Sequence, residues 1–343
     1  DTSLATQHTS IGIVTNEEVV PFESYCTPEL AMQWLDEHEP TLASHLAQRQ
    51  RLDFRCMRRY TYSAQRVFSP ERWACTGEAG LFTDPFLSSG SDLISMSNSL
   101  ISEFIRLDMQ DELKSEIVEQ WNRWFLNTAE GTTRNIQSHY SHFDHGALHA
   151  AKLLWGFHSR PVWFFNLLFN LLLMPGALSN TDKLAVLKEL SDEFEKVKQL
   201  SQRMTQLFDD WQAMSRGLFR FDWIDYFSLP TLRNTWEDAE RTPKSAADFR
   251  DGLLRGFRLA EDAAQVFFYL AVEDVAPDHL KRLPIPFGVN AWAVSLRPEA
   301  WEEDGLFDSP STSRDLSPLI EEISSLFMRQ HACAETLQLV GVD

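Results

Sequence analysis

At 343 residues, 43% of them hydrophobic and 24% charged, the chain is long enough for one large or two ordinary domains and has the balance of a soluble globular protein. A net charge of −19 argues against nucleic acid, whose phosphates need a Lys/Arg field, and against docking by charge on an anionic membrane. The widely spaced Cys26, Cys56, Cys75 and Cys333 form no Cys-x-x-Cys pair, which predicts reduced thiols in a cytoplasmic protein, with no disulfide frame or zinc site.

Residues 1 to about 25 read as strands and turns, including the β-rich run from Ser10 to Val14. Thr27, Pro28 and Glu29 then open a helix with an N-cap, a first-position proline and a first-turn acid. Its apolar side is Leu30, Met32, Trp34 and Leu35, and after the break at Pro40 a second helix is expected from Leu42 to Arg51. Arg58 to Val67 reads as a strand, Ser69 to Arg72 as a turn, and Asp92 to Leu107 as a helix with Leu93, Met96, Leu100 and Phe104 apolar. From about residue 108 the pattern is helical, over Asp111–Leu126, Ala147–Phe157, Val162–Met174, Asn180–Trp211 and Ala246–Val272. Phe307 to Ser317 reads as a loop and Pro318 to Gln330 as a last helix. The most apolar run, Pro161 to Leu173, falls short of the roughly 20 residues of a membrane span and carries Asn166 and Asn170, so a buried helix is expected. No signal peptide is visible.

The chemistry is concentrated between Trp73 and Asp92. A short strand leads to Gly77-Glu78-Ala79-Gly80, then Asp84-Pro85-Phe86, then Ser88-Ser89-Gly90-Ser91-Asp92 at the start of a helix. Such a turn brings backbone N–H groups and a helix N-terminus close to a ligand. The segment resembles the second FAD-binding motif of flavoprotein monooxygenases and, more closely, that of flavin-dependent halogenases of the tryptophan halogenase family. Those families have Asp where Glu78 stands. The resemblance extends, with the strands before the motif, over roughly residues 8 to 105. It implies FAD as cofactor, held by Gly77, Glu78, Ala79, Gly80, Asp84 and Pro85. Glu78 would meet the ribityl chain, and the Asp84-Pro85 turn would aim a helix N-terminus at the flavin edge where negative charge develops. Ser89 and Gly90 would hold a halide on their backbone N–H groups. Leu87 stands where indole-type relatives carry a glutamate base. The implied substrate is therefore an electron-rich phenol or pyrrole, in a pocket without a nearby base. A flavin reductase is the implied partner.

By the same resemblance the fold class is α+β: an incomplete FAD-binding α/β domain over 1–107, followed by a mostly α-helical domain over 108–343. The Gly-x-Gly-x-x-Gly fingerprint and the Trp-x-Trp-x-Ile-Pro segment are not found in the chain. The family's catalytic lysine falls in the same missing N-terminal half and cannot be reassigned to Lys114 or Lys152. The chain is accordingly expected to be the C-terminal part of a longer protein, weak or inactive by itself, and no catalytic residue is assigned. Gly77 and Gly90 are expected where a side chain would not fit or where a ligand approaches.

Other features have plainer readings. His139, His142, His145 and His149, with Asp144, have spacing that suggests a metal, but Gly146 interrupts any helix there and no glutamate lies in the run; a structural or solvent-facing cluster is expected. The Trp and Phe residues between 121 and 169 read as core, though such residues also build pockets for planar molecules. Two other functions fit: a FAD-dependent hydroxylase or reductase of a lipid-like substrate, entered by the 161–175 run, and a non-catalytic helical binding protein with a degenerate flavin motif.

Overall fold

The computed structural model describes residues 2–221, 224–284, 288–308 and 314–330. The chain is mostly helical, 61%, with a few short strands, an α+β protein in the coarse sense. Thr27 caps α1 (Pro28–His38) by accepting the Leu30 N–H. Pro40 does not merely separate two helices: it opens α2 (Pro40–Leu46), where a missing N–H leaves nothing unsatisfied.

The strands pair two by two, all antiparallel: β1 (Thr2–Ser3) with β2 (Thr9–Ser10), β3 (Tyr62–Ser63) with β6 (Leu81–Phe82), β4 (Phe68–Ser69) with β5 (Trp73–Ala74), and β7 (Phe219–Arg220) with β8 (Met328–Arg329). Among the described residues no sheet has three strands. The strand expected over 58–67 shrinks to β3, and nearby backbone donors find side chains instead. The N–H groups of Val67 and Phe68 both donate to Asn122 Oδ1, at 2.9 and 3.0 Å.

The helices that follow are α3 (Gly90–Met109), α4 (Ser115–Tyr140), α5 (Gly146–Ser159), α6 (Pro161–Leu167), α7 (Thr181–Glu189), α8 (Ser191–Met214), α9 (Pro230–Glu240), α10 (Ala246–Val275) and α11 (Ser317–Ser324). The stretch expected as one helix from Asn180 to Trp211 is two, broken at buried Leu190. The expected last helix ends at Ser324, and Met328–Arg329 turns into β8. The loop expected from 307 to 317 lies partly, and Cys333 wholly, outside the described residues.

The centre is α10, buried without interruption from Ala263 to Asp274 and packed against α5, α6, α8 and α11. One apolar core joins α5, α8, α10 and α11; a second contains Val67, Leu93, Met96, Val118, Phe164 and Phe257, residues from both sides of position 107. The run from Pro161 contributes to this second core, passing from α6 into a π-helical turn, Leu168–Leu172. Its two asparagines are buried and bonded: Asn166 donates to Phe249 O and Asn170 to Ala239 O, at 3.1 and 2.9 Å. Among the described residues no helix is long and apolar enough to cross a membrane.

Candidate active site: a cavity walled by the Asp84–Asp92 loop

The motif folds as β5, a 3-10 turn at Gly77–Ala79, β6, a second 3-10 turn at Phe86–Ser88, and then α3. Gly77 has φ +54°, the left-handed region, and a Cβ there would lie 2.9 Å from Ile94 Cγ1. Gly80 is buried, and a Cβ on it would lie 2.8 Å from Val67 Cγ1. These glycines let the turn pack against α3 and β4. Between them Glu78 and Ala79 are exposed, as is Pro85.

Asp84 is engaged within the protein. It accepts from the hydroxyl of Tyr60 at 3.3 Å, from that of Tyr140 at 3.0 Å, and from the Phe86 N–H at 2.8 Å. Burial, reinforced by the Asp84 charge, pushes both phenols far above their usual range, so they stay protonated donors. Asp84 thus ties the loop to α4.

Leu87 and Ser88 follow with φ +64° and +52°, two successive non-glycine residues in the left-handed region. This conformation costs roughly 1–2 kcal/mol per residue. Ser89 then starts α3 with no side-chain cap on the helix, its hydroxyl instead lying 3.1 Å from Thr83 Oγ1. At Gly90 the φ is not left-handed and a Cβ would meet open space, so the protein itself gives no steric reason for glycine there.

The loop forms one wall of a cavity of about 470 Å³. Leu87, Ser88, Ser89 and Asp92 line it on this side; Gly77, Glu78, Ala79, Gly80, Asp84, Pro85 and Gly90 do not. The opposite walls come from α4, α5, α6 and α9, with Phe157, Phe165, Tyr226 and Trp236 as aromatic faces. Phe157 and Tyr226 stack at 4.4 Å and 11°, and the rings of Phe165 and Trp236 meet edge-on at 4.5 Å. The polar residues reaching the cavity include Thr132, Asn135, His139 and Arg160. The cavity also holds a carboxylate despite Leu87, because Asp92, in the first turn of α3, lines it; burial raises the pKa of that group.

Beneath the loop lies the histidine group. His139 is 2% exposed and its Nδ1 has no hydrogen-bond partner among the described residues. Burial, then the Lys152 charge, lowers its pKa to about 3, so the imidazole is neutral. Phe86 packs on His139 and His149, with ring centroids at 5.6 and 5.9 Å. His142 places Nδ1 3.2 Å from Lys152 Nζ and Nε2 3.3 Å from Asp209 Oδ1. His145 caps α5, accepting the Leu148 N–H at 3.4 Å. Lys152 is 3% exposed, and burial lowers its pKa to about 8. Among the described residues no three His, Cys, Asp or Glu side chains converge as a metal site.

The sequence missed Arg160, His139 as a cavity residue, and the whole of α9. Arg160 directly before Pro161 marked a junction between helices, but no signal in the sequence showed that its side chain reaches a cavity. The chain matches no family model, no curated protein and no solved structure.

Proposed function

We propose that the chain supplies the halide loop and the substrate wall of a FAD-dependent, halogenase-type oxidoreductase acting on an electron-rich phenol or pyrrole. One observation carries this reading: the loop singled out for its resemblance to a halide site, Leu87–Ser89, lines an aromatic-walled cavity of a size suited to a small planar molecule. The amides of Ser89 and Gly90 stand at the start of a 20-residue helix that no side chain caps. An anion there gains roughly 0.3–1 kcal/mol from the helix dipole as well as the amide bonds. The paired left-handed residues fit a strained loop beside a site.

The motif's surface is compatible with the cofactor in part. Left-handed Gly77 and exposed Glu78, Ala79 and Pro85 leave one side of the motif open to a ribityl chain. These residues, with Gly80 packed behind them, would hold FAD, which when bound and reduced supplies the oxidising chemistry with oxygen. Asp84 acts by fixing the loop through Tyr60 and Tyr140. The aromatic faces orient the substrate, Asp92 accepts its O–H or N–H proton, and neutral His139 accepts a hydrogen bond from it without taking the proton.

The test is turnover by the protein in its full coding context, given FAD, a flavin reductase, chloride or bromide, and a panel of phenols and pyrroles. Halogenated product by mass spectrometry supports the proposal. Hydroxylated product without halide dependence moves the reading to a monooxygenase. A second reading, a non-catalytic helical binding protein, is favoured by the absence of any three-stranded sheet among the described residues; no product from any arene would support it.

A further inference from the structure

We propose that Arg160 is the anchor for a carboxylate, so that the ligand of this cavity is a planar aromatic monocarboxylate. The inference deepens the functional reading above and rests on it for the aromatic body of the ligand. Arg160 sits between α5 and α6, as the C-cap of one and the residue before the other, and lines the cavity. Its Nη2 donates to Thr132 Oγ1, and its Cζ lies 5.6 Å over the Phe164 ring. A guanidinium has five N–H donors in a planar fork, and no carboxylate among the described residues forms an ion pair with it. Asp92 stabilises the charge through space, and burial works the other way, depressing the pKa. Arg160 is half-buried in the cavity wall, and a cation partly removed from water without a contacting anion is completed by a carboxylate, which matches the fork with two parallel bonds.

The other walls fix the rest of the molecule. Phe157, Phe165, Tyr226 and Trp236 offer flat faces to a ring system. His139, buried and with Nδ1 unpartnered among the described residues, stands ready to pair with a ring O–H or N–H. Asp92 in the same cavity adds a negative charge, which disfavours a doubly charged phosphate relative to a carboxylate.

The test uses the purified chain without flavin and two probes sharing one ring system, 6-hydroxy-2-naphthoate and 2-naphthol, in isothermal titration. Wild type should bind the naphthoate at least about 10-fold more tightly, the scale of one charge-assisted bidentate contact. Arg160→Gln should abolish that preference while keeping 2-naphthol binding. Arg160→Lys, which retains the cation without the fork, should reduce the preference at least about threefold, and decides the matter if the glutamine variant does not fold. Equal affinities in wild type, no binding of either probe, or a preference that survives both substitutions overturns the proposal. Naphthoate preference in a protein that never halogenates would leave Arg160 as the anchor and refute the halogenase reading alone.

Discussion

Lys152 offers the sharpest test of the buried polar group beneath the loop. Its ammonium is 3% exposed, donates to Ser138 O and His142 Nδ1, and is drawn down from an ordinary 10.5 to about 8 by burial. The folded state therefore binds fewer protons than the unfolded state between those values, and stability must rise with pH across that window. Below pH 8 the folded state bears the full penalty of the buried charge; above 10.5 both states are neutral and the penalty has gone. A fall from 10.5 to about 8 corresponds to roughly 3 kcal/mol, most of which should return between pH 7 and pH 10. Other groups titrate in the same range, so the measurement is a difference. Urea unfolding of wild type and Lys152→Met, followed by circular dichroism at half-unit steps from pH 7 to 10, should show wild type gaining roughly 2–3 kcal/mol on the variant. Parallel profiles would refute the reasoning and mean that the amine is hydrated in the folded protein.

Two further substitutions probe the frame around the cavity. Asp274 is buried and accepts from Trp211 Nε1 at 2.8 Å, Ser215 Oγ at 2.5 Å, Leu218 N–H at 2.9 Å and Arg216 N–H at 3.3 Å. Asp274→Ala strands those donors and should cost about 3–5 kcal/mol in urea unfolding, with Asp274→Asn costing less because one acceptor survives; equal, small losses would contradict the network. Gly77→Ala forces a side chain into φ +54° beside Ile94, and an expected loss of roughly 1–2 kcal/mol is read from the thermal midpoint; an unchanged midpoint would show that the turn relaxes freely.

Helices with strong periodicity or clear start signals were legible in the sequence. Thr27-Pro28 opens α1 and the apolar spacing of Ala246–Val272 marks α10, because caps and apolar spacing act over a single turn, whereas the Ser245 cap of α10 was not read. The burial of most of the run, from Phe164 to Leu172, was legible too, from its length and its asparagines, though not the partners those asparagines find in Phe249 and Ala239, nor the exposure of Leu173. α9 was not read although Pro230 opens it and Leu232, Trp236 and Ala239 stand at helical spacing; the stripe is short, and it faces the cavity, with only Ala239 fully buried. The strand expected at 58–67 is realised only at Tyr62–Ser63, paired with Leu81–Phe82, and at its end the Val67 N–H bonds Asn122, more than fifty positions away, a partner that local β propensity does not record.

The loop from Gly77 to Asp92 was visible by residue type only in part: Gly77 stands where φ is positive and an Asp-Pro turn precedes α3, whereas the left-handed Leu87 and Ser88 carry no mark in their residue type. Tertiary structure alone decided what the loop faces. Arg160 and His139 reach the cavity because α4 and the α5–α6 junction pack across from α3, and the charge state of Lys152 follows from the water that packing removes. Those properties depend on distances between residues far apart in the chain and on the local dielectric, neither of which any stretch of sequence encodes by itself.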